Sequence, residues 1–266
     1  MIALFKSAIE QLQKNQPIAI ITLIKVKGSA PQIPGAKMLI VDNNNCSDHL
    51  SSGTIGGGNL EFTATKEALN ILRDKNRESI YYYEKNLKND LGMVCGGEVH
   101  YTIEIINPAT QLIICGAGHC GHSLYQMALN LNFSITIIDS MTEYANKERY
   151  PAANNIINSF QESDLDCKLN LTSNNPNSFI VILTRDHQTD FKLVRYFLNK
   201  NWSYLGLIAS KNKAHNLRKE LEQDGYPLEK INKLTAPIGL SIGGSSPAEL
   251  AISILAQIIQ LKNGCC

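Results

Sequence analysis

No run of about 18 apolar residues occurs in the chain, so no membrane-spanning helix is expected. Nor is there an excess of charge of either sign. The 25 Lys and Arg against 24 Asp and Glu leave a net charge of +1, which makes no electrostatic case for nucleic acid or an anionic membrane as partner. The seven cysteines contain no CxxC and no paired metal spacing, and Cys46 with His49 is a Cys-x-x-His pair far short of a metal site. The first ten residues lack a continuous apolar h-region and a cleavage site, so no signal peptide is expected, and the thiols read as reduced in a cytoplasmic protein. Internal repeats and low-complexity tracts are absent too. What is present is 44% hydrophobic and 18% charged residues over 266 positions, room for a sizeable core in one large or two modest domains.

The most informative stretch runs from 111 to 139. Leu112 to Cys115 is a short β-branched run, Gly116-x-Gly118-x-x-Gly121 follows at once, and Asp139 ends the next strand, 23 residues beyond Gly116. Gly116 can supply a tight turn, Gly118 lets backbone approach a pyrophosphate, and Gly121 lets a helix pack close on the strand. The helix starting there aims its free N–H groups at phosphate, and Asp139 stands near the spacing of an acid that accepts a ribose hydroxyl. This predicts a Rossmann-like parallel sheet.

The organisation follows. Asn107-Pro108-Ala109-Thr110 marks a boundary between a smaller α+β domain over 1–107 and a Rossmann-like α/β domain over 108–266, with helices on both sheet faces. In the first, strands are expected at 17–24, 37–41, 79–84 and 99–106, with an amphipathic helix at the start and another over 59–73. In the second, strands at 111–115, 134–139, 155–158, 178–183 and 203–208 alternate with helices at 119–131, 188–199, 211–224 and 247–261. Ser246-Pro247-Ala248-Glu249 opens the last helix with a capping serine and a proline at its first position.

Several residues stand where chemistry would be placed. His119, at a helix start, can donate to a bound phosphate or be a solvated first-turn residue. Arg185, His187 and Asp190 follow a strand whose carboxyl end should face the crevice, where Arg185 could take a phosphate and the others position it or move protons; a helix-capping loop is the alternative. Ser210 and Lys211 end the next strand and suit either a phosphate or a helix cap. In the first domain Cys95, among Gly92, Gly96 and Gly97, reads equally well as an approachable thiol or a small turn residue.

These stretches together resemble the XdhC family of xanthine dehydrogenase accessory proteins. The resemblance runs in order through Gly28-Ser29-Ala30-Pro31, Gly53-Thr54-Ile55-Gly56-Gly57-Gly58, Gly92-Met93-Val94-Cys95-Gly96-Gly97, Gly116-Ala117-Gly118-His119, Gly206-Leu207-Ile208 and Pro247-Ala248-Glu249-Leu250. It implies a protein that binds molybdenum cofactor (molybdopterin), supports its sulfuration with a cysteine desulfurase, and delivers it to xanthine dehydrogenase or a related molybdenum hydroxylase. Such a protein is a chaperone rather than an independent enzyme, usually as a homodimer. The candidate residues for the cofactor are Gly56, Gly57, Gly58, Cys95, Gly96 and Gly97 in the first domain. In the second they are those read from the motif and the strand ends: Gly116, Gly118, His119, Gly121, Asp139, Arg185, His187, Ser210 and Lys211. Cys95 is the leading candidate to hold molybdenum or relay sulfur. A nicotinamide-dependent oxidoreductase binding NAD(P) or another nucleotide at Gly116, Gly118, Gly121 and Asp139 is the alternative. The first domain's glycine loops and Cys95 speak against it, since a dehydrogenase has no evident need of them.

Overall fold

The computed structural model describes residues 1–28, 32–45, 48–74, 76–92, 97–169, 171 and 177–264. Contacts divide the chain into two units, Met1–Pro108 and Ala109–Cys266.

In the first unit, helix α1 (Ile2–Gln13) leads into strands β1 (Ile18–Lys27), β2 (Lys37–Asn45) and β3 (Asp48–Gly53). Helix α2 (Gly58–Arg73) and strands β4 (Ile80–Asn86) and β5 (Glu98–Ile106) complete it. The sheet is antiparallel, in the order β3-β2-β1-β5-β4. Period two in the strands meets period 3.6 in the helices. Val99, Tyr101, Ile103 and Ile105 point to one face and pack with Leu60, Ala64, Ala68, Ile71 and Leu72 of α2. The opposite face is covered in part by α1, whose Leu4 and Ala8 join Ile18, Ile20, Leu39 and Val41. Strand β3 falls where only a turn was expected. Its sequence, DHLSSG, has one large apolar residue, because an edge strand with an open face needs no alternation.

The second unit runs β6 (Thr110–Cys115), α3 (His119–Ala128), β7 (Phe133–Ile138), β8 (Asn155–Ile157), α4 (Glu162–Lys168), β9 (Ser178–Ile182) and α5 (His187–Leu198). It continues with β10 (Tyr204–Leu207), α6 (Lys211–Gln223), α7 (Leu228–Lys233), β11 (Leu234–Thr235) and α8 (Pro247–Lys262). All six strands are parallel, in the order β11-β10-β9-β6-β7-β8. Both faces are covered, which is why the strands read as continuous apolar runs rather than alternating ones. Ile113, Cys115, Ile180 and Ile182 face the core shared with Leu193, Val194 and Leu217 of α5 and α6. Leu112, Ile114, Phe179 and Val181 face Leu124, Ala128, Ile254 and Ile258 of α3 and α8.

The expected strands and long helices of this unit lie within a few residues of the observed ones. The short elements α4, α7 and β11 were not expected; α4 and α7 each bury one residue, Leu165 and Ile231, too few to set a period. Between β7 and β8, residues 139–153 follow turns and bends instead of a helix. The start of α8 is the expected capping box: Glu249 N–H donates to Ser246 Oγ at 3.2 Å, and Ser246 N–H donates to Glu249 Oε2 at 3.0 Å.

Candidate functional site

Strand order reverses between β6 and β9, so the crevice at their carboxyl ends is where this topology collects ligands. Gly116 leaves β6 at φ +118°, a conformation that side chains other than glycine rarely adopt. A Cβ there would lie 2.4 Å from the Leu183 carbonyl oxygen, and one on Gly121 would lie 2.0 Å from that of Gly116. Both glycines are therefore demanded by the fold. Gly118 differs: its φ is −73° and a Cβ would meet nothing within 4 Å. The protein itself gives no reason for a glycine there, and the space it leaves lies at the start of α3, which has no side-chain cap.

Asp139 anchors this turn from below. It is 5% exposed, its Oδ2 accepts the Ala117 N–H at 2.8 Å, and its Oδ1 accepts the Met141 N–H at 3.0 Å. Each oxygen already serves the backbone. The Tyr150 hydroxyl holds the other side, donating to the Ala117 carbonyl at 3.0 Å, and burial pushes that hydroxyl up to about 12.

Positive charge gathers around the turn. The Arg185 guanidinium stacks 3.7 Å from the Tyr144 ring centroid and Arg149 lies 5.2 Å from the same ring. Arg185 Nη1 also sits 3.0 Å from the Met141 sulfur. Among the described residues neither arginine has a carboxylate within salt-bridge distance. His119 is exposed at the first position of α3. One turn on, His122 packs edge-on against Tyr150, and its buried Nδ1 has no partner. Burial first, then the charges of Arg149 and His119, hold His122 below its usual value. Tyr144, Arg149 and His122 were missed in the sequence, because their meeting depends on the turn path of 139–153 and no spacing rule encodes it.

The loop carrying Arg185 is fixed from inside. Asp190, 1% exposed, accepts the Thr184 N–H at 3.1 Å, the Thr184 hydroxyl at 2.6 Å and the Lys213 ammonium at 2.8 Å. Asp190 thus braces the loop and does not face the crevice as a proton carrier. Asp186 caps α5 by accepting the N–H groups of Gln188 and Thr189. Those bonds, the Thr189 N–H first, hold its carboxyl below the usual value. A cavity of about 170 Å³ lies between this loop and the end of β7, lined by Asp139, Ser140, Met141, Phe160, Arg185 and Thr189 among others.

The remaining expected residues stand apart from that cavity's lining. His187 is exposed at the first position of α5. Ser210 serves as the cap of α6, accepting the Lys213 N–H at 3.2 Å, and Lys211 is exposed beside it. Cys115 is fully buried and its thiol is pushed far up by burial and then by Asp190 and Asp139; Cys120 is raised by burial as well. Neither has the character of a nucleophile.

In the first unit the glycine loop before α2 is filled from within. One oxygen, Glu61 Oε1, accepts the N–H groups of Ile55 (2.9 Å), Gly56 (3.1 Å) and Gly57 (2.8 Å) together with the Thr54 hydroxyl. The loop does present an anion cradle, and the chain's own carboxylate occupies it. Gly58 begins the helix, and Asn59 Nδ2 donates to the Leu91 carbonyl at 2.8 Å, tying the start of α2 to the segment before Cys95. Gly97 is buried and its carbonyl accepts the Leu87 N–H at 2.8 Å. Cys95 and Gly96, like Cys46, lie outside the described residues. Among the described residues no group of three or more His, Cys, Asp or Glu is placed to hold a metal.

Burial works to raise the Glu61 carboxyl, but the four hydrogen bonds outweigh it and hold it below 4.5. Its folded value is lower than its unfolded one. The stabilisation is therefore complete above pH 4.5 and is lost as pH falls through the folded value. Glu61→Gln is expected to remove that part of the acid destabilisation of the first unit, read as amide exchange of Ile55 to Gly57 across the acid range.

Comparison with known proteins places this geometry. Residues 112–258 match the XdhC Rossmann domain and residues 11–84 match the XdhC and CoxI family. An uncharacterised protein of Escherichia coli K12, YqeB, is 29% identical over 261 residues, covering 98% of this chain and 46% of YqeB. A probable xanthine dehydrogenase subunit of Bacillus subtilis 168 is 29% identical over 160 residues, covering 60% of this chain and 45% of that protein. The chain thus spans about half the length of these two relatives. PaoD of E. coli K12, a molybdenum cofactor insertion chaperone, is 22% identical over 289 residues, covering 97% of this chain and 88% of PaoD. The crystal structure of a Bacillus halodurans protein described as a xanthine dehydrogenase shares the fold, with a TM-score of 0.51 at 24% identity over 97% of this chain and 95% of that one. With the XdhC Rossmann domain matched over more than half of its length, this chain belongs to the XdhC family.

Proposed function

We propose that this protein is an accessory factor for a molybdenum enzyme of the xanthine dehydrogenase kind, binding molybdenum cofactor and handing it to the enzyme. The observations that carry this reading are the room at Gly118, where a Cβ would meet nothing, and, on the segments that follow β7 and β9, two arginines with no carboxylate at salt-bridge distance among the described residues. Those residues suit the phosphate end of a pterin cofactor: the first N–H groups of α3 and the Arg149 and Arg185 guanidiniums supply donors and charge. Bound there, the group would bring the metal centre that the recipient enzyme uses; the chain's own part is to bind, orient and shield it. Membership of the XdhC family and likeness to a named insertion chaperone support the same reading. Support for sulfuration with a cysteine desulfurase, with Cys95 as the thiol, belongs to this proposal.

A nicotinamide-dependent oxidoreductase draws no support from these relatives. The acid it requires at the ribose, Asp139, also already accepts two backbone N–H groups.

The test is reconstitution. Apo xanthine dehydrogenase, limiting cofactor and this protein are combined without oxygen, and the rate of activity recovery is measured. Faster recovery with the protein than with albumin, at least tenfold reduced for Arg185→Ala, is the expected result. Equal rates with the protein and with albumin would sink the accessory role.

A further inference from the structure

A second cavity, of about 410 Å³, opens beside the one that Arg185 lines. Ser140, Phe160 and Thr189 line both, so the two adjoin at the carboxyl ends of β7 and β8. Its volume is in the range of small-molecule sites. Two helices build it. Thr189, Lys192, Leu193 and Tyr196 are spaced as one face of α5, and Glu162 comes from the first turn of α4. Leu193 and Tyr196 are buried and, with Phe160, give an apolar surface on which an aromatic ring can lie.

The polar groups are more telling. Glu162 and Lys192 line the same cavity, yet among the described residues neither is in an ion pair, with the other or with a neighbour. Asn158 donates from Nδ2 to the Ala145 carbonyl at 2.8 Å, which leaves its Oδ1 to face a ligand. The Thr189 hydroxyl already donates to Asp186 and the Tyr196 hydroxyl to Asp166, each at 2.8 Å. Ser140, Ser159 and Gln161 can donate or accept, so they select nothing. The groups that do select are one cationic donor, Lys192, and two acceptors, the Glu162 carboxylate and Asn158 Oδ1.

We propose that this cavity binds a 2-amino-4-oxopyrimidine ring, the edge that a pterin and a guanine share. Along that edge stand a carbonyl, a ring N–H and an amino group, which call for one donor and two acceptors. Lys192 serves the carbonyl. The two oxygens of Glu162 take the ring N–H and one amino hydrogen, and Asn158 Oδ1 takes the other. Cytosine and the 2,4-dioxopyrimidines call for two donors and one acceptor, and adenine for one of each, so all of these leave a group unmatched. The inference rests on the reading of the protein as a cofactor carrier and deepens it: with the phosphate at the Gly116–Gly121 turn, the pterin end belongs in the adjoining cavity.

The experiment is equilibrium dialysis of the full chain against pterin and against lumazine, which carries a carbonyl where pterin has its amino group. Pterin is expected to bind about tenfold or more tighter than lumazine. Glu162→Gln presents one acceptor and one donor in place of two acceptors, so it should reverse that preference. Its unfolding midpoint, read from Trp202 in the same unit, should stay unchanged. GMP against inosine monophosphate, which lacks the amino group, repeats the comparison, and the tighter of pterin and GMP names the source of the ring. No binding of either ring, or lumazine held as tightly as pterin by the wild type, overturns the proposal. Anaerobic gel filtration with molybdenum cofactor separates the two claims. A wild type that keeps the cofactor but does not discriminate pterin from lumazine overturns the cavity's assignment alone. A wild type that prefers pterin yet keeps no cofactor overturns the carrier.

Discussion

Gly121→Ala lowers the stability of the Rossmann unit by about 3 kcal/mol, while Gly118→Ala leaves it unchanged and instead weakens anion binding at least tenfold. The two glycines sit three residues apart in one turn and their neighbours explain the contrast. A Cβ at 121 runs into the backbone carbonyl of Gly116 at 2.0 Å, and backbone at the end of a central buried strand cannot step aside. A Cβ at 118 meets nothing within 4 Å and φ is ordinary, so the fold accepts alanine without strain. The added methyl then occupies only the space a ligand would use. The one tryptophan, Trp202, lies in this unit with its indole N–H donating to the Phe197 carbonyl at 2.9 Å, so its fluorescence follows this unit's unfolding. Urea midpoints by Trp202, with pyrophosphate titration of each folded variant, separate the two effects. A loss of stability in Gly118→Ala as large as in Gly121→Ala would mean that all three glycines serve the fold alone.

Asp190→Ala is expected to cost about 3–5 kcal/mol by the same readout. Removing the carboxylate leaves the Lys213 ammonium unpaired at 14% side-chain exposure, and it strips the Thr184 N–H and hydroxyl of their acceptor. An isolated charge in that position is costlier than no charge at all. The double variant Asp190→Leu with Lys213→Met should therefore recover more than half of the loss. Because the Asp190 bonds set the path of the loop through Thr184, Arg185 should also lose its place over Tyr144, and pyrophosphate affinity should fall with stability. A cost below about 1 kcal/mol for Asp190→Ala would show that the pair is screened like a surface bridge.

The two halves of the chain were not equally legible. Strands β6, β7, β9 and β10 announce themselves because burial on both faces demands uninterrupted apolar residues, and Gly116 and Gly121 because no other residue fits their backbone. Asp139 was found by its spacing, yet its geometry is that of a brace for the turn, and Asp190, read as a site residue, braces the next loop. A short acid at a strand end serves a backbone N–H or a ligand equally well, and sequence does not distinguish the two. The filling of the Ile55–Gly57 cradle by Glu61 depends on a loop closing onto the first turn of the helix that carries it. The stacking of Arg149 and Arg185 on Tyr144 is a tertiary event between two connecting segments.

The most direct measurement is cofactor retention. The reduced protein is mixed with molybdenum cofactor under anaerobic conditions and passed through gel filtration, beside Gly118→Ala and Arg185→Ala, and molybdenum is counted against protein. Stoichiometric retention by the wild type, lost in both variants while their Trp202 unfolding midpoints stay unchanged, is the expected result. No molybdenum with the wild-type chain, or equal retention by all three proteins, contradicts a carrier that holds the cofactor's phosphate at the Gly116–Gly121 turn.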